Sequence, residues 1–247
     1  WARFIEYARN DIEAMREIHK KLPRWNYPSE PELSHWHLDQ TINDRGFAVD
    51  VELCEAVIRA IGRAKEELSG KTAKLTDGRL ASTTQVQATI EYMMEEYGIH
   101  TDSLTKADVK KLLDSDIPEG LRLLLETRQQ ASASSTAKYK ALLNRSSADG
   151  RFRGGIQFAG AARTRRAGGR GFQPQNLPSR GLLPHDVIEQ GIELMKCDAE
   201  DLIFPSVMHL ATSTIRSVII APPGKKLCVA DLANIEGRKV AWYANEE

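Results

Sequence analysis

The sequence is poor in cysteine and has no long apolar run. Cys54, Cys197 and Cys228 form an odd set without C-x-x-C spacing, so neither a disulfide framework nor a paired-cysteine zinc site is expected. No apolar run approaches the roughly 20 residues that cross a bilayer, and the first residues lack a signal-peptide pattern. We therefore expect an intracellular protein with no membrane association and with reduced, mostly buried thiols.

Net charge is also absent, because 34 basic side chains balance 34 acidic ones. The distribution is nevertheless uneven. Residues 138–180 contain ten basic side chains and the single acid Asp149, in a stretch that is rich in glycine, glutamine and asparagine. This composition indicates a surface that binds a polyanion such as nucleic acid, and a solvated basic loop is the alternative.

Helical spacing of apolar residues predominates before this basic stretch. Residues 1–22 and the run that follows Asp50, to about Leu68, both repeat apolar residues at helical steps. Between them, Pro23, Pro28 and Pro31 predict a connector, and residues 43–46 predict a turn. Two capping signals, Ser82-x-x-Gln85 and Thr105-x-x-Asp108, predict further helix starts, with Gly98 ending the first of these helices.

One long helix is predicted from Pro118 to Leu142, and the pattern changes at Asp149-Gly150. Alternation at 151–153 and 156–158 predicts short strands. Asp186 is expected to cap a helix that follows it, and a further helix is expected at 206–217. The sequence as a whole predicts an α+β fold that is predominantly helical, with a small antiparallel sheet.

Residues 226–230 are a short apolar run that predicts a buried strand ending at Asp231. A carboxylate at a strand end is a typical ligand of the divalent metals that catalyse phosphoryl transfer. The spacing alone leaves a second interpretation open, since an aspartate in this position can also cap a helix.

The stretch from Asp231 to Arg238 resembles motif A of family A (polymerase I-like) DNA polymerases, D-Y-S-Q-I-E-x-R, with Leu232-Ala233-Asn234 in place of Tyr-Ser-Gln. The resemblance implies that Asp231 and the backbone carbonyl of Leu232 bind Mg²⁺, in a two-metal site. It implies that Glu236 is a catalytic-site steric gate, whose carboxylate lies where a ribose 2′-hydroxyl would fall. Arg238 would contribute to binding DNA or nucleotide.

A second resemblance lies upstream, where the region from Gln157 to Pro178 resembles phage-encoded members of the family. Residues 164–166 and 173–180 are similar to the T-G-R and Q-N-[IL]-P-x-R segments of the same family. The resemblance implies that Arg166 donates to the minor groove of the primer-terminal base pair, that Gln175 and Asn176 extend this contact, and that Arg180 lies near the triphosphate. The alternative is a basic turn with ordinary amide side chains.

Arg165 is a departure from this pattern, because the family has glycine at that position. If the position requires a positive φ, the arginine strains the loop.

The rest of the chain fits the same family order. Residues 1–35 resemble the end of a 3′-5′ exonuclease domain and its linker, with Tyr7 and Asp11 as remnants of an exonuclease motif or as ordinary surface residues. Residues 36–148 would be a helical thumb, and 149–247 a partial palm. Lys138, on a helix that resembles the family's R…S-x-x-K helix, would hold a DNA phosphate or lie on a solvated face.

The family's fingers helix and its H-D-E turn do not follow Asp231. We therefore expect a fragment of a DNA-directed DNA polymerase that binds primer–template DNA and deoxynucleoside triphosphates but does not polymerise alone. The missing fingers and palm could be a separate chain, as in a split polymerase, and a non-catalytic DNA-binding subunit is the alternative. The expected location is the cytoplasm of a bacterium or a phage-infected cell.

Overall fold

The computed structural model describes residues 1–22, 30–82, 84–132 and 136–246. The chain divides into two compact units, Trp1–Asp44 and Arg45–Glu247. The fold is α+β and predominantly helical, as predicted. No helix in the described ranges is long and apolar enough to cross a membrane.

The helices of the described residues follow the chain in this order: α1 Ala2–Lys21, α2 Glu30–Arg45, α3 Val51–Leu75, α4 Val86–Tyr97, α5 Lys106–Leu113, α6 Glu119–Ala131, α7 Thr136–Arg145, α8 His185–Lys196, α9 Val207–Ser213 and α10 Ile235–Tyr243. The strands are β1 Phe47–Val49, β2 Arg151–Phe152, β3 Ile156–Gln157, β4 Gly168–Gly169 and β5 Ile219–Ile220. Short 3₁₀ turns occupy Pro174–Asn176, Glu200–Leu202 and Thr214–Arg216.

Helix caps lie where the sequence predicts them at the starts of α3 and α5 and at the end of α4. The Asp50 carboxylate accepts from Leu53 N at 2.9 Å, and Lys196 Nζ donates to the same carboxylate at 3.0 Å. Thr105 Oγ1 caps α5, and Gly98 ends α4 in the left-handed conformation. These features are specified by neighbouring residues, which is why the sequence reveals them.

Other helix boundaries were predicted wrongly. The helix α3 continues past Leu68 to Leu75, because the buried Thr72 and its bond to Leu68 O extend the packed face. The predicted helix 118–142 is two helices, α6 and α7, and residues 133–135 between them lie outside the described ranges.

Three predicted starts and turns also differ. Pro31 lies inside the first turn of α2 and does not break the chain there, and Pro23 and Pro28 lie outside the described residues. Gln85, not Ser82, is the N-cap of α4, although the Gln85 side chain does accept from Ser82 N at 3.2 Å. Pro184 precedes α8, so Asp186 lies in its first turn and is not its cap.

A three-stranded antiparallel sheet, in the order β2-β1-β5, organises the second unit. Phe47 pairs with Phe152, and Ala48 pairs with both Arg151 and Ile220. The rings of Phe47 and Phe152 stack with centroids 5.2 Å apart. The helix α3 packs against α6, α7, α8 and α9. One core joins the sheet to α3, α7, α8 and α9, and a second core joins α6 to α4 and α5.

The predicted buried strand at 226–230 is wrong. Residues 221–232 have no regular structure, and Val229 is 93% exposed. A short apolar run becomes a buried strand only where a neighbouring strand pairs with it and another layer covers it. Among the described residues no strand pairs with this run, and Asp231 is exposed at its end.

The expectation of mostly buried thiols is also wrong. All three cysteines are free, but only Cys54 is buried, while Cys197 and Cys228 are exposed. Burial raises the pKa of the Cys54 thiol to about 12, with a smaller contribution from the nearby Asp50 carboxylate. Cys54 therefore behaves as an apolar core residue of α3.

Candidate nucleic-acid interface

A small hairpin presents the arginine-rich loop. The strands β3 and β4 pair Ile156 with Gly169 and Gln157 with Gly168, and the loop between them contains the predicted Arg166. Inside the loop, Ala161 N donates to Arg166 O at 3.0 Å and Arg165 N donates to Ala161 O at 2.7 Å. These bonds close the loop on itself.

Arg165 has a φ of 54°, in the left-handed region that favours glycine. A non-glycine residue in this region costs about 1–2 kcal/mol. The family's T-G-R segment has glycine at this position, and the positive φ of Arg165 shows that the backbone here has the conformation that glycine favours. The loop is therefore strained at Arg165, next to the side chain on which the DNA-binding hypothesis depends.

The Arg166 side chain contacts Glu236, the predicted steric gate, 70 residues further along the chain. One of its terminal guanidinium nitrogens donates to Glu236 Oε1 and forms an ion pair. Glu236 lies in the first turn of α10, where a carboxylate interacts favourably with the helix N-terminus. The structure thus brings together two side chains that the sequence assigned to one site on separate grounds.

Asp231, Leu232 and Arg238 lie on the same C-terminal stretch, and all three are exposed. Asn234, with a φ of 52°, is the N-cap of α10 and makes no side-chain cap bond, so Asp231 does not cap this helix. Asp231 therefore lies neither at the end of a buried strand nor at a helix cap.

The described residues contain no group of three or more His, Cys, Asp or Glu side chains placed to hold a metal ion. One exposed carboxylate and one backbone carbonyl are too few oxygen ligands to define a Mg²⁺ site, which needs near-octahedral coordination. The described side chains therefore do not fit the predicted two-metal centre by themselves, and magnesium binding at Asp231 stays a prediction.

The segment 173–180 lies against the arginine hairpin. Gln173 Nε2 donates to Gly169 O at 2.9 Å, and Asn176 Nδ2 donates to Gln173 Oε1 at 2.7 Å. A Cβ at Gly169 would lie only 2.8 Å from Gln175 Nε2, so glycine in β4 lets this glutamine approach the hairpin backbone. Gln175 and Asn176 are both exposed beside the arginine loop.

Lys138 does not project freely into solvent. Its Nζ donates to Asn176 O at 3.1 Å, and thereby ties α7 to the segment 173–180. Arg216 donates to the next two carbonyls, from a terminal nitrogen to Leu177 O and from Nε to Pro178 O, both at 3.1 Å. Neither contact was predictable, because the partners lie 38 or 39 residues apart and lysine and arginine side chains carry no partner signal.

A cleft with a volume of about 610 Å³ opens beside this segment. Four cationic side chains from separate parts of the chain line it, and none of its described lining residues is acidic; the cations are Lys106, Arg128, Lys138 and Arg180. Burial lowers the pKa of the Arg128 guanidinium. The sequence did not predict Lys106 as a binding residue, since nothing about the first residue of α5 indicates that it lines the same cleft as Lys138 and Arg180.

Tyr7 and Asp11 both lie on α1 in the first unit, and both are exposed. They are one helical turn apart, so they share a face, which is compatible with either interpretation given above. Their assignment to an exonuclease remnant stays a prediction, as do the boundaries at 35 and 148.

The whole chain can be aligned with one curated relative. It is 32% identical to a DNA polymerase of Bacillus phage SP02 over all 247 residues. The chain spans 38% of the length of that relative. No protein-family model matches the chain. No solved structure matches it either.

Proposed function

We propose that this chain is part of a template-directed DNA polymerase of family A, and that its second unit binds the primer–template and the incoming nucleotide. Two independent observations support the proposal. One is the likeness to a phage DNA polymerase along the whole chain. The other, which carries the proposal, is the contact between Arg166 and Glu236, whose roles were inferred from two separate motifs.

In this proposal Arg166 reads the end of the primer. Its guanidinium donates to an acceptor in the minor groove, where every base pair offers one, so that correct pairing is sensed without sequence preference. Gln175 and Asn176 extend the contact along the groove. Glu236 lies beside Arg166 and excludes a ribose 2′-hydroxyl, because that hydroxyl would clash and be left without a partner.

The basic cleft binds phosphate groups in the same proposal. Lys106 and Arg128 add two cations to the predicted Arg180, and the absence of acid among the described lining residues leaves the cleft positive. Arg180 faces the triphosphate and Arg238 adds charge on α10. Electrostatic binding of this kind weakens steeply with salt, since each neutralised phosphate releases counterions.

Polymerisation itself would require Mg²⁺ and further carboxylates beyond Asp231. Asp231 and the Leu232 carbonyl would contribute ligands, and a longer chain or a separate one would supply the others. The two ions would activate the primer hydroxyl and neutralise the triphosphate.

The experiment is a titration of labelled primer–template DNA with the purified chain, followed by fluorescence anisotropy at several salt concentrations. We expect binding in low salt that weakens as salt rises. Arg166→Gln should lower the affinity more than Arg163→Gln, which removes the same charge from an exposed position in the same loop. Failure of the wild-type chain to bind DNA in low salt would contradict the proposal.

A non-catalytic DNA-binding subunit is the second candidate, and the lack of a carboxylate cluster among the described residues favours it. The gene sequence downstream of Glu247 separates the two. A fingers helix and an H-D-E turn there would support the polymerase, and a stop codon would support the subunit.

A further inference from the structure

Three consecutive backbone carbonyls in the segment 173–180 accept hydrogen bonds from cations. Asn176 O accepts from Lys138, and Leu177 O and Pro178 O both accept from Arg216. The next residue but one, Arg180, is exposed and lines the basic cleft. The backbone that carries the proposed nucleic-acid contacts is therefore held by two side chains from elsewhere in the chain.

Both donors are rooted in the core. Lys138 lies on α7 next to Tyr139, which is fully buried and donates to Ala211 O at 2.6 Å. Arg216 follows Thr214 and Ile215, which are also fully buried. Because the backbone of each donor is fixed by buried neighbours, its side chain holds the carbonyl it binds in a defined position. A side chain on a flexible surface segment would not do so.

The segment is anchored at both ends as well, because Gln173 Nε2 donates to Gly169 O at 2.9 Å and His209 Nε2 contacts Gly181 O at 2.7 Å. Leu177 is buried in the core, but its neighbours Gln175, Asn176 and Ser179 are exposed, and the turn Pro174–Asn176 is a single 3₁₀ turn. The bonds from Lys138 and Arg216 hold the three carbonyls at 176–178, which lie between these anchors.

We infer that Arg216 is a positioning residue, which fixes the backbone at 177–178 so that Asn176 and Arg180 are presented together to nucleic acid. This inference rests on the proposed function. In this inference Arg216 acts through the two carbonyls that its guanidinium binds and not through a phosphate. Lys138 acts in the same way at Asn176 O, which replaces the phosphate contact expected from the sequence.

The guanidinium fork explains why arginine occupies this position. Nε and a terminal nitrogen of one planar group reach two adjacent carbonyls at equal distances of 3.1 Å. Lysine has one ammonium on a flexible stem and cannot reproduce this paired geometry. Replacing Arg216 with lysine therefore keeps the positive charge but removes the paired geometry, which separates a positioning role from a role of charge alone.

The test measures primer–template affinity and its salt dependence for Arg216→Gln and Arg216→Lys. We expect both variants to bind about 3- to 10-fold more weakly, because a pre-ordered contact segment is lost. The slope of log affinity against log salt should stay at the wild-type value in both, since no phosphate contact of Arg216 is removed. Arg216→Lys keeps the charge and gives the decisive result if Arg216→Gln does not fold.

A double-mutant cycle with Arg180→Gln tests the coupling. In the Arg180→Gln background, Arg216→Lys should cost much less affinity than it does in the wild type, because the side chain that it positions is gone. Gly98→Ala is the control for stability, since it perturbs the end of α4 and should leave DNA affinity unchanged.

Two results would overturn the inference. One is wild-type affinity in Arg216→Lys, which would show that the paired geometry of the guanidinium is not needed. The other is a salt slope lowered by about one ion in Arg216→Gln, which would make Arg216 a direct phosphate contact. If the wild-type chain binds DNA and Arg166→Gln weakens binding, but neither Arg216 variant does, this inference alone fails. If the wild-type chain does not bind, the proposed function fails.

Discussion

Arg166 and Glu236 form an ion pair across 70 residues of sequence, with side chains that are 64% and 76% exposed. Exposed pairs of this kind contribute only about 0.2–1 kcal/mol. The contact is therefore weak enough for an incoming nucleic acid to break. In the proposed polymerase, the arrival of a primer end would exchange the carboxylate of Glu236 for a base acceptor.

The first prediction concerns this exchange. Glu236→Gln removes a negative charge near the DNA and releases Arg166, so primer–template affinity should rise by about 2- to 5-fold. Anisotropy titration in low salt measures the change. The control is Glu246→Gln, beyond the end of α10, which should change affinity less. An unchanged or reduced affinity in Glu236→Gln would contradict competition between DNA and the carboxylate.

The second prediction concerns the strained loop. Arg165→Gly should stabilise the second unit by up to about 1 kcal/mol, because glycine adopts a positive φ without strain but makes the unfolded chain more flexible. Urea unfolding measures it. Arg163→Gly is the matched control, since Arg163 has no positive φ, and it should be neutral or destabilising. A loss of stability in Arg165→Gly equal to that in Arg163→Gly would show that no strain is stored at residue 165.

The third prediction compares two glycines with positive φ. A Cβ at Gly46 would lie 2.1 Å from Phe152 O, whereas a Cβ at Gly98 would have no atom within 4 Å. Both alanine variants carry the left-handed strain of about 1–2 kcal/mol. Gly46→Ala should cost about 1–3 kcal/mol more, because the backbone of β2 must move. Equal losses in the free energy of unfolding would mean that Gly46 does not approach Phe152 O closely enough to exclude a side chain.

The fourth prediction concerns acid stability. The hydrogen bond from Arg153 lowers the pKa of Asp149 to about 2. Because the pKa is lower in the folded state than the roughly 3.9 of an unfolded aspartate, the carboxylate stabilises the fold above about pH 4, and this contribution disappears as the pH falls through about 2. The difference in the free energy of unfolding between wild type and Asp149→Asn should therefore be constant above about pH 4 and should shrink as the pH falls towards 2. Asp116→Asn, at an exposed position, is the control. A difference that does not depend on pH between 2 and 4 would contradict the ion pair.

The sequence predicts those parts of the fold that depend on neighbours along the chain. Asp50, Gly98 and Thr105 are correctly interpreted, because a helix cap is a contact within three or four residues. The α+β class follows in the same way from the spacing of apolar residues. The division of the helix predicted from Pro118 to Leu142 was not visible, since α6 and α7 both carry helical spacing.

The candidate site is only partly predictable for the same reason. The motifs identified Arg166 and Glu236, but nothing in the sequence shows that they touch. The run at 226–230 has the composition of a buried strand and remains exposed. A run of this kind is buried only where another part of the chain covers it, and its own composition does not show whether that happens. The contacts of Lys138 and Arg216 with backbone carbonyls leave no mark in the sequence at all.

The central claim is that Arg166 binds the minor groove at the primer end, and its most direct test replaces the acceptor it would use. A primer ending in 3-deazaadenine lacks the N3 acceptor of adenine but keeps its pairing edge. We predict that the wild-type chain binds this primer–template about 3- to 10-fold more weakly than the unmodified one, and that Arg166→Gln binds the two equally. Equal binding by the wild-type chain, or the same preference in Arg166→Gln, would contradict the account.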